Sequence, residues 1–189
     1  MDYFIDTEYI DLEREIDLIS LGVVAADGRE FYAVSTEFDA SRANEFVRTV
    51  VLPLLEPADD PVWMSRARMK DELVKFIGND VPRFWSWAGA PWDWMAMAQL
   101  FPVEERVPAG WRYTAYDVSQ LAEDKGFGVS PVDRSLPQAP AKVHHALADA
   151  RWARKLYEAV GGPTGWPPAA GGKVMTIPPL AKVGSTLAR

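Results

Sequence analysis

The sequence predicts an α/β fold in which helices pack on a mixed sheet, and three observations predict it. β-rich runs crowd the amino-terminal part of the chain, in YFIDTEY and in LISLGVVAADGREFYAVSTEF. An Asp27-Gly28 pair separates the two halves of the second stretch. From residue 41 onward, segments with helical spacing interleave with one further β-rich run, RFWSWAG.

The elements follow in order. Residues 3–9 read as the first strand, and Asp27-Gly28 between β-rich runs is a hairpin signal because the turn requires positive φ. The first three strands therefore form an antiparallel meander. In SRANEFVRTVVL, Ala43, Phe46, Val47 and Val50 share one side at helical spacing and Pro53 lies beyond the end, which predicts a helix over 41–52. A second helix falls in SRARMKDELVKFIG, where Ser65 caps the start and Gly78 ends it. RFWSWAG is the fourth strand, and PWDWMAMAQL a helix with Pro91 in its first turn. YDVSQLAEDKG holds another helix, closed by Gly126, and KVHHALADARWARKLYEAV the last, ended by Gly161-Gly162.

Composition narrows the function. With 189 residues, 48% hydrophobic and 25% charged, the chain suits one domain with a real core and excludes disorder throughout. No apolar run reaches the length of a membrane span and the start MDYFIDTE lacks a secretory layout, so the expectation is a cytoplasmic protein with no membrane partner. The absence of cysteine excludes disulfides, thiolate metal sites and cysteine nucleophiles, leaving oxygen and imidazole as metal donors. A net charge of −7 argues against a protein that coats a long nucleic acid by its phosphates. Residues 161–189 differ: they are rich in Pro and Gly and carry Lys173, Lys182 and Arg189 with no acid. The division expected is a domain over 1–160 and a basic tail over 161–189, a solvated arm or packing strap rather than a strand-holding arm.

The chemistry starts from Asp6 and Glu8. Side chains alternate along a strand, so these two acids share one face while Ile5 and Thr7 take the other. Like charges on one partly buried patch need a neutralising partner, and a divalent cation is the simplest. Asp93 opens the helix PWDWMAMAQL, a position that the helix dipole alone also explains. His144, His145 and Asp149 lie in VHHALADA, and these are the only two histidines in the chain. On a continuous helix His145, four before Asp149, shares its face, whereas His144 falls roughly 140° away. Among the tryptophans, Trp85 and Trp87 read as core and Trp92 and Trp94 as pocket wall.

An Asp-x-Glu on the first strand, an Asp opening a middle helix and a His five before an Asp on the last helix resemble the DEDDh 3′-to-5′ exonucleases of the ribonuclease T-like class. Within that class the chain is similar to the small actinobacterial exoribonucleases described as polyadenylate-specific, on FIDTEY, DLISLGVVAADGREFYAVSTEFD, RTVVLPLL, WSWAGAPWDWMAM and VHHALADAR. The resemblance covers about residues 1–157. It implies a ribonuclease H-like fold with a five-stranded mixed sheet and helices on both faces. It further implies that Asp6, Glu8, Asp93 and Asp149 are metal ligands for two Mg²⁺ ions, with Mn²⁺ as a substitute, and that His144 is the general base, with His145 in reserve. His144 serves if it leans in from the loop ahead of the helix. Tyr9, Trp92, Trp94 and Met95 are the expected substrate wall; Tyr9 stands where the wider class commonly has Thr. The implied activity is stepwise hydrolysis of single-stranded RNA from its 3′ end to nucleoside 5′-monophosphates, by a homodimer. The same residues also suit an RNA-end or nucleotide binding module without turnover, an exonuclease acting on DNA, or a protein whose acids hold a stabilising ion.

Overall fold

A computed structural model describes residues 1–13, 15–102, 107–128 and 135–162. Of the tail expected at 161–189, all but Gly161 and Gly162 lies outside the described residues. The strands are β1 (Asp2–Asp11), β2 (Ile16–Ala25), β3 (Glu30–Ser35), β4 (Trp63–Met64), β5 (Arg83–Ser86) and β6 (Ala115–Asp117). They form one sheet in the order β4-β3-β2-β1-β5-β6. The β1-β2-β3 meander is antiparallel, and β4, β5 and β6 each pair in parallel with their neighbours. Gly28 makes the β2–β3 turn at φ 95°, as Asp27-Gly28 predicts.

The sheet therefore has six strands rather than five. The difference lies at the edges: β4 contributes two residues and β6 three, too few for a period-two pattern to register. Tyr116 and Asp117, expected inside a helix, close β6, and Asp117 then caps the helix that follows.

The helices are α1 (Arg66–Ile77), α2 (Ala90–Ala98), α3 (Val118–Asp124) and α4 (Ala146–Ala159). Ser65 caps α1 by accepting from the Arg68 N–H, and Gly78 ends it at φ 64°. α1 and α2 cover one face, where Met69, Leu73, Ile77, Trp94 and Met97 pack on Tyr3, Ile5, Leu21 and Val23. α3 and α4 cover the other, where Val118, Ala122, Ala150 and Leu156 pack on Phe4, Val24 and Trp85. Helices thus lie on both faces, as expected. Phe4 shares a face with Asp6 and Glu8, so the two acids look toward α4.

Residues 41–52 depart from the regular helix expected there. A 3₁₀ turn over Ala40–Arg42 is followed by a π turn over Val47–Val51 and a second 3₁₀ turn over Leu52–Leu54. Pro53 has no N–H to donate, and the Leu52 N–H reaches back to the Val47 carbonyl, one residue further than in an α-helix. The register change buries Ala43, Val47 and Val51 and leaves Phe46 49% exposed, not buried beside them.

Candidate active site

β1 lies between an antiparallel and a parallel neighbour, and the site forms where the parallel one leaves. β5 pairs with β1 only from Asp2 to Phe4, so beyond that point the β5-facing edge of β1 opens into a crevice at the carboxyl ends of two parallel strands. Asp6 and Glu8 stand at this crevice, on the α4 face. Opposite Asp6 across the β1–β2 ladder is Gly22. A Cβ there would sit 2.5 Å from the Ala146 carbonyl oxygen and the Leu147 nitrogen, so only a glycine lets the first turn of α4 lie directly on β2. That approach brings Asp149, in the same first turn, onto the acids. One carboxylate oxygen from each of Asp6, Glu8 and Asp149 lies within 4.8 Å of the other two. Glycine inside LISLGVVA is the sequence signal of such a close approach.

Asp93 reaches the crevice from the opposite face, on the first turn of α2. Its Oδ1 accepts from the Thr7 N–H at 2.9 Å and the Thr7 hydroxyl at 2.7 Å, and its Oδ2 accepts from the Ser86 hydroxyl. Asp93 is therefore outside the group of three and firmly oriented beside it, 5% exposed. Ahead of α2, Ala88 takes φ 56°, and its N–H donates to Asp117 at 3.0 Å. Thr7, Ser86 and Gly22 carry no chemistry, and sequence reasoning passed over all three.

The electrostatics are those of a site short of positive charge. Burial first, then the charges of Asp93, Glu8 and Asp149, push the Asp6 carboxyl well above its ordinary range. Burial, with Asp149 and Asp93 behind it, raises Glu8 to about 8. Burial raises Asp93 to about 6 against the bonds from Ser86 and Thr7, and raises Asp149 against the bond from the His144 N–H. Asp149 Oδ1 is buried with no hydrogen-bond partner among the described residues. Clustered carboxylates, one orphaned oxygen and, among the described residues, no Lys or Arg in an ion pair with them fit hard divalent cations, which take oxygen donors.

The two histidines separate cleanly. His145 caps α4: its Nδ1 accepts from the Ala148 N–H at 3.4 Å, its Nε2 contacts Glu56 Oε1 at 3.1 Å, and its ring stacks on Tyr32 with centroids 4.8 Å apart. It is buried and engaged. Burial tends to raise the Glu56 carboxyl, but the His145 and Tyr32 contacts hold it below its usual value, so it stays ionised. His144 lies one residue before the cap at φ 70°, a left-handed conformation that costs a non-glycine residue about 1–3 kcal/mol. Its N–H donates to Asp149 Oδ2 at 2.7 Å and its ring meets Phe46 edge-on at 4.9 Å. Because α4 begins at Ala146, the helical-wheel objection to His144 disappears.

A cleft of about 420 Å³ is lined by Asp6, Glu8, Asp149, His144, Tyr9 and Phe46, with Trp87, Trp152 and Val143 further along the wall. Of the expected substrate wall only Tyr9 belongs to it. Trp94 packs against Phe84 and, with Met95, lines a separate cavity of about 600 Å³, and Trp92 is half exposed and lines neither. Trp87, expected in the core, packs against the core cluster under α4 and also lines the cleft, since it follows the last residue of β5. Strand ends, more than flanking positions on α2, carry the wall.

A six-stranded mixed sheet with helices on both faces is consistent with a ribonuclease H-like fold, and its crevice gathers strand and helix carboxylates beside a loop histidine. The 3′-5′ exoribonuclease Rv2179c-like domain family matches residues 1–161, and the chain belongs to that family. It is 45% identical over 155 residues to the 3′-5′ exoribonuclease Rv2179c of Mycobacterium tuberculosis strain H37Rv, covering 80% of this chain and 88% of the relative. The same values hold for the 3′-5′ exoribonuclease MT2234.1 of strain CDC 1551. No helix among the described residues is long and apolar enough to cross a membrane.

Proposed function

We propose that the protein is a 3′-5′ exoribonuclease that shortens single-stranded RNA to nucleoside 5′-monophosphates, using two Mg²⁺ ions and His144 as general base, with Mn²⁺ as a substitute. Family membership supports the reaction class, since the relatives are named for it. The observation that carries the chemistry is the convergence of Asp6, Glu8 and Asp149 to within 4.8 Å in a cleft that His144 also lines.

Asp6, Glu8 and Asp149 would hold the ions, with Asp93 offering the lone pairs that Thr7 and Ser86 leave free. When bound, a pair of divalent ions supplies an activated water, a stabilised leaving oxygen and charge neutralisation at the phosphate. The remaining steps belong to the chain. His144, as neutral imidazole, takes the proton of the attacking water; its N–H bond to Asp149 keeps the ring beside the carboxylates. Phe46, Tyr9 and Trp87 offer apolar faces on which a terminal base can stack. Four carboxylates cancel two divalent charges, so an acidic protein grips only the end of a strand. Homodimer formation, a cytoplasmic setting and a domain ending near residue 160 remain part of the reading.

A short 5′-labelled RNA tests it. Ladder-like shortening with Mg²⁺ that stops with EDTA and in Asp149→Asn supports the enzyme. Binding without shortening supports an RNA-end binding module, and an equal rate on single-stranded DNA shows that the 2′-hydroxyl is not read.

A further inference from the structure

We propose that Glu56, acting through His145, is a positioning residue for His144. It holds the peptide ahead of α4 in the left-handed conformation that presents the His144 ring to the cleft. The inference rests on the reading of His144 as general base.

The starting point is that α4 stops earlier than its sequence requires. Lys142, Val143 and His144 contain no helix breaker, and Pro140 is the first residue upstream that does. A helix extended through them would carry His144 roughly 140° around from Asp149 and out of the cleft. The active arrangement therefore competes with a helical one, and something must select it.

His145 makes the selection, and Glu56 fixes His145. Because Nδ1 accepts from the Ala148 N–H, it carries no hydrogen; Nε2 then does, and donates to Glu56 Oε1. The ring is held at both nitrogens and on one face by Tyr32, with planes 23° apart. In that pose His145 has the extended φ and ψ of a cap, −124° and 110°, which ends the helix behind it and leaves His144 at φ 70°. Glu56 follows the π and 3₁₀ turns, and Val47 and Val51 of the π turn, with Phe46 just ahead of it, line the cleft. One hydrogen bond thus ties the wall that packs on His144 to the start of the helix that carries Asp149. An ordinary helix cap requires none of this; any Asn or Ser would serve.

The difference is measurable in the full chain. Glu56→Ala is expected to lower kcat about tenfold or more while KM for RNA stays within about twofold, since misplacing a reacting group by about 1 Å is enough for such losses. Glu56→Gln, whose amide oxygen still accepts from Nε2, is expected to keep most of the activity. His145→Asn, which retains a capping oxygen but cannot make the Glu56 bond, is expected to fall as far as Glu56→Ala. With two histidines in the chain, the Cα carbon shift of His144 reports its backbone directly, and it should move toward the helical value in Glu56→Ala and His145→Asn.

In a His144→Ala background, Glu56→Ala should add no further loss. Wild-type kcat in His145→Asn, an unmoved His144 shift in Glu56→Ala, or the same proportional loss with and without His144 would each overturn the positioning role. Full activity in His144→Ala would instead overturn the base assignment, and the His144 shift would still decide the positioning claim. If Glu56→Ala does not fold, the His145→Asn and Glu56→Gln pair decides it.

Discussion

Gly22→Ala tests the geometry at its narrowest point. An added Cβ would lie 2.5 Å from the Ala146 oxygen and the Leu147 nitrogen, where ordinary contact begins near 3.4 Å, and the obstructing atoms are backbone on both sides. The first turn of α4 must then retreat by about 1 Å, and Asp149 moves with it. Overpacking of this kind costs about 1–3 kcal/mol of stability. The catalytic cost falls at the upper end of that range, because displacing an aligned group by about 1 Å lowers a rate about 10²-fold, about 2.7 kcal/mol. The assay is single-turnover shortening of a labelled RNA across a Mg²⁺ titration, with thermal unfolding followed in parallel. Gly126→Ala is the control: this glycine, unlike Gly22, has a positive φ, 80°, but nothing lies within 4 Å of its Cβ and it does not line the cleft. It should lose about 1 kcal/mol and keep its rate. A Gly22→Ala protein with wild-type rate and Mg²⁺ dependence would refute the claim that helix proximity at β2 places Asp149.

Three further outcomes follow from the site. In EDTA, the Glu8 carboxyl, raised from 4.5 to about 8, binds its proton more tightly folded than unfolded, so its contribution is full below the unfolded value and is lost as pH rises through about 8. At pH 8 metal-free Glu8→Gln should therefore be more stable than wild type by several kcal/mol, on the order of 5 at most, and Mg²⁺ should reverse the order; equal melting temperatures in EDTA from pH 5 to 8 would contradict this. His144→Ala should lose at least about 10²-fold in kcat with its Mg²⁺-induced rise in melting temperature intact, and turnover lost only in His145→Ala would transfer the base role. Thr7→Val removes the hydroxyl bond to Asp93 at 2.7 Å while the backbone bond stays, so stability should fall by about 1–2 kcal/mol and kcat with it; an unchanged rate would mean that Asp93 needs no such orientation.

The parts of this architecture that were legible in the sequence are those set by local rules. Period-two alternation put Asp6 and Glu8 on one face, Asp27-Gly28 fixed a hairpin, and Ser65 and Gly78 bounded α1 where they were expected. Illegible were features settled by contacts distant along the chain. Glu56 meets His145 across 89 residues and Thr7 meets Asp93 across 86, and no local pattern announces either pair. The wall of the cleft was misread for a related reason. Trp87 and Trp94 are both large aromatics in one short segment, and what separates them is that β5 ends at Ser86, a boundary that propensity places poorly. Likewise the π turn that exposes Phe46 depends on a carbonyl finding its donor one residue late, which apolar spacing does not encode.

Backbone accounting explains why the acids gather here at all. A strand flanked by partners on both sides satisfies its N–H and C=O groups in the ladder, but β1 loses its parallel partner after Phe4 while its antiparallel partner continues to Asp11. The N–H of Thr7 is left facing the crevice, and a buried donor without a partner would cost about 1–3 kcal/mol. Asp93 accepts it, and in doing so brings a fourth carboxylate beside Asp6 and Glu8, whose own side chains point to the opposite face. The same divergence therefore creates the vacancy in the ladder, recruits the acid that fills it and opens the cleft in which charge accumulates. A β5 lengthened to pair with Thr7 would satisfy the backbone equally well and close the crevice, so the short parallel pairing is what makes this sheet a site.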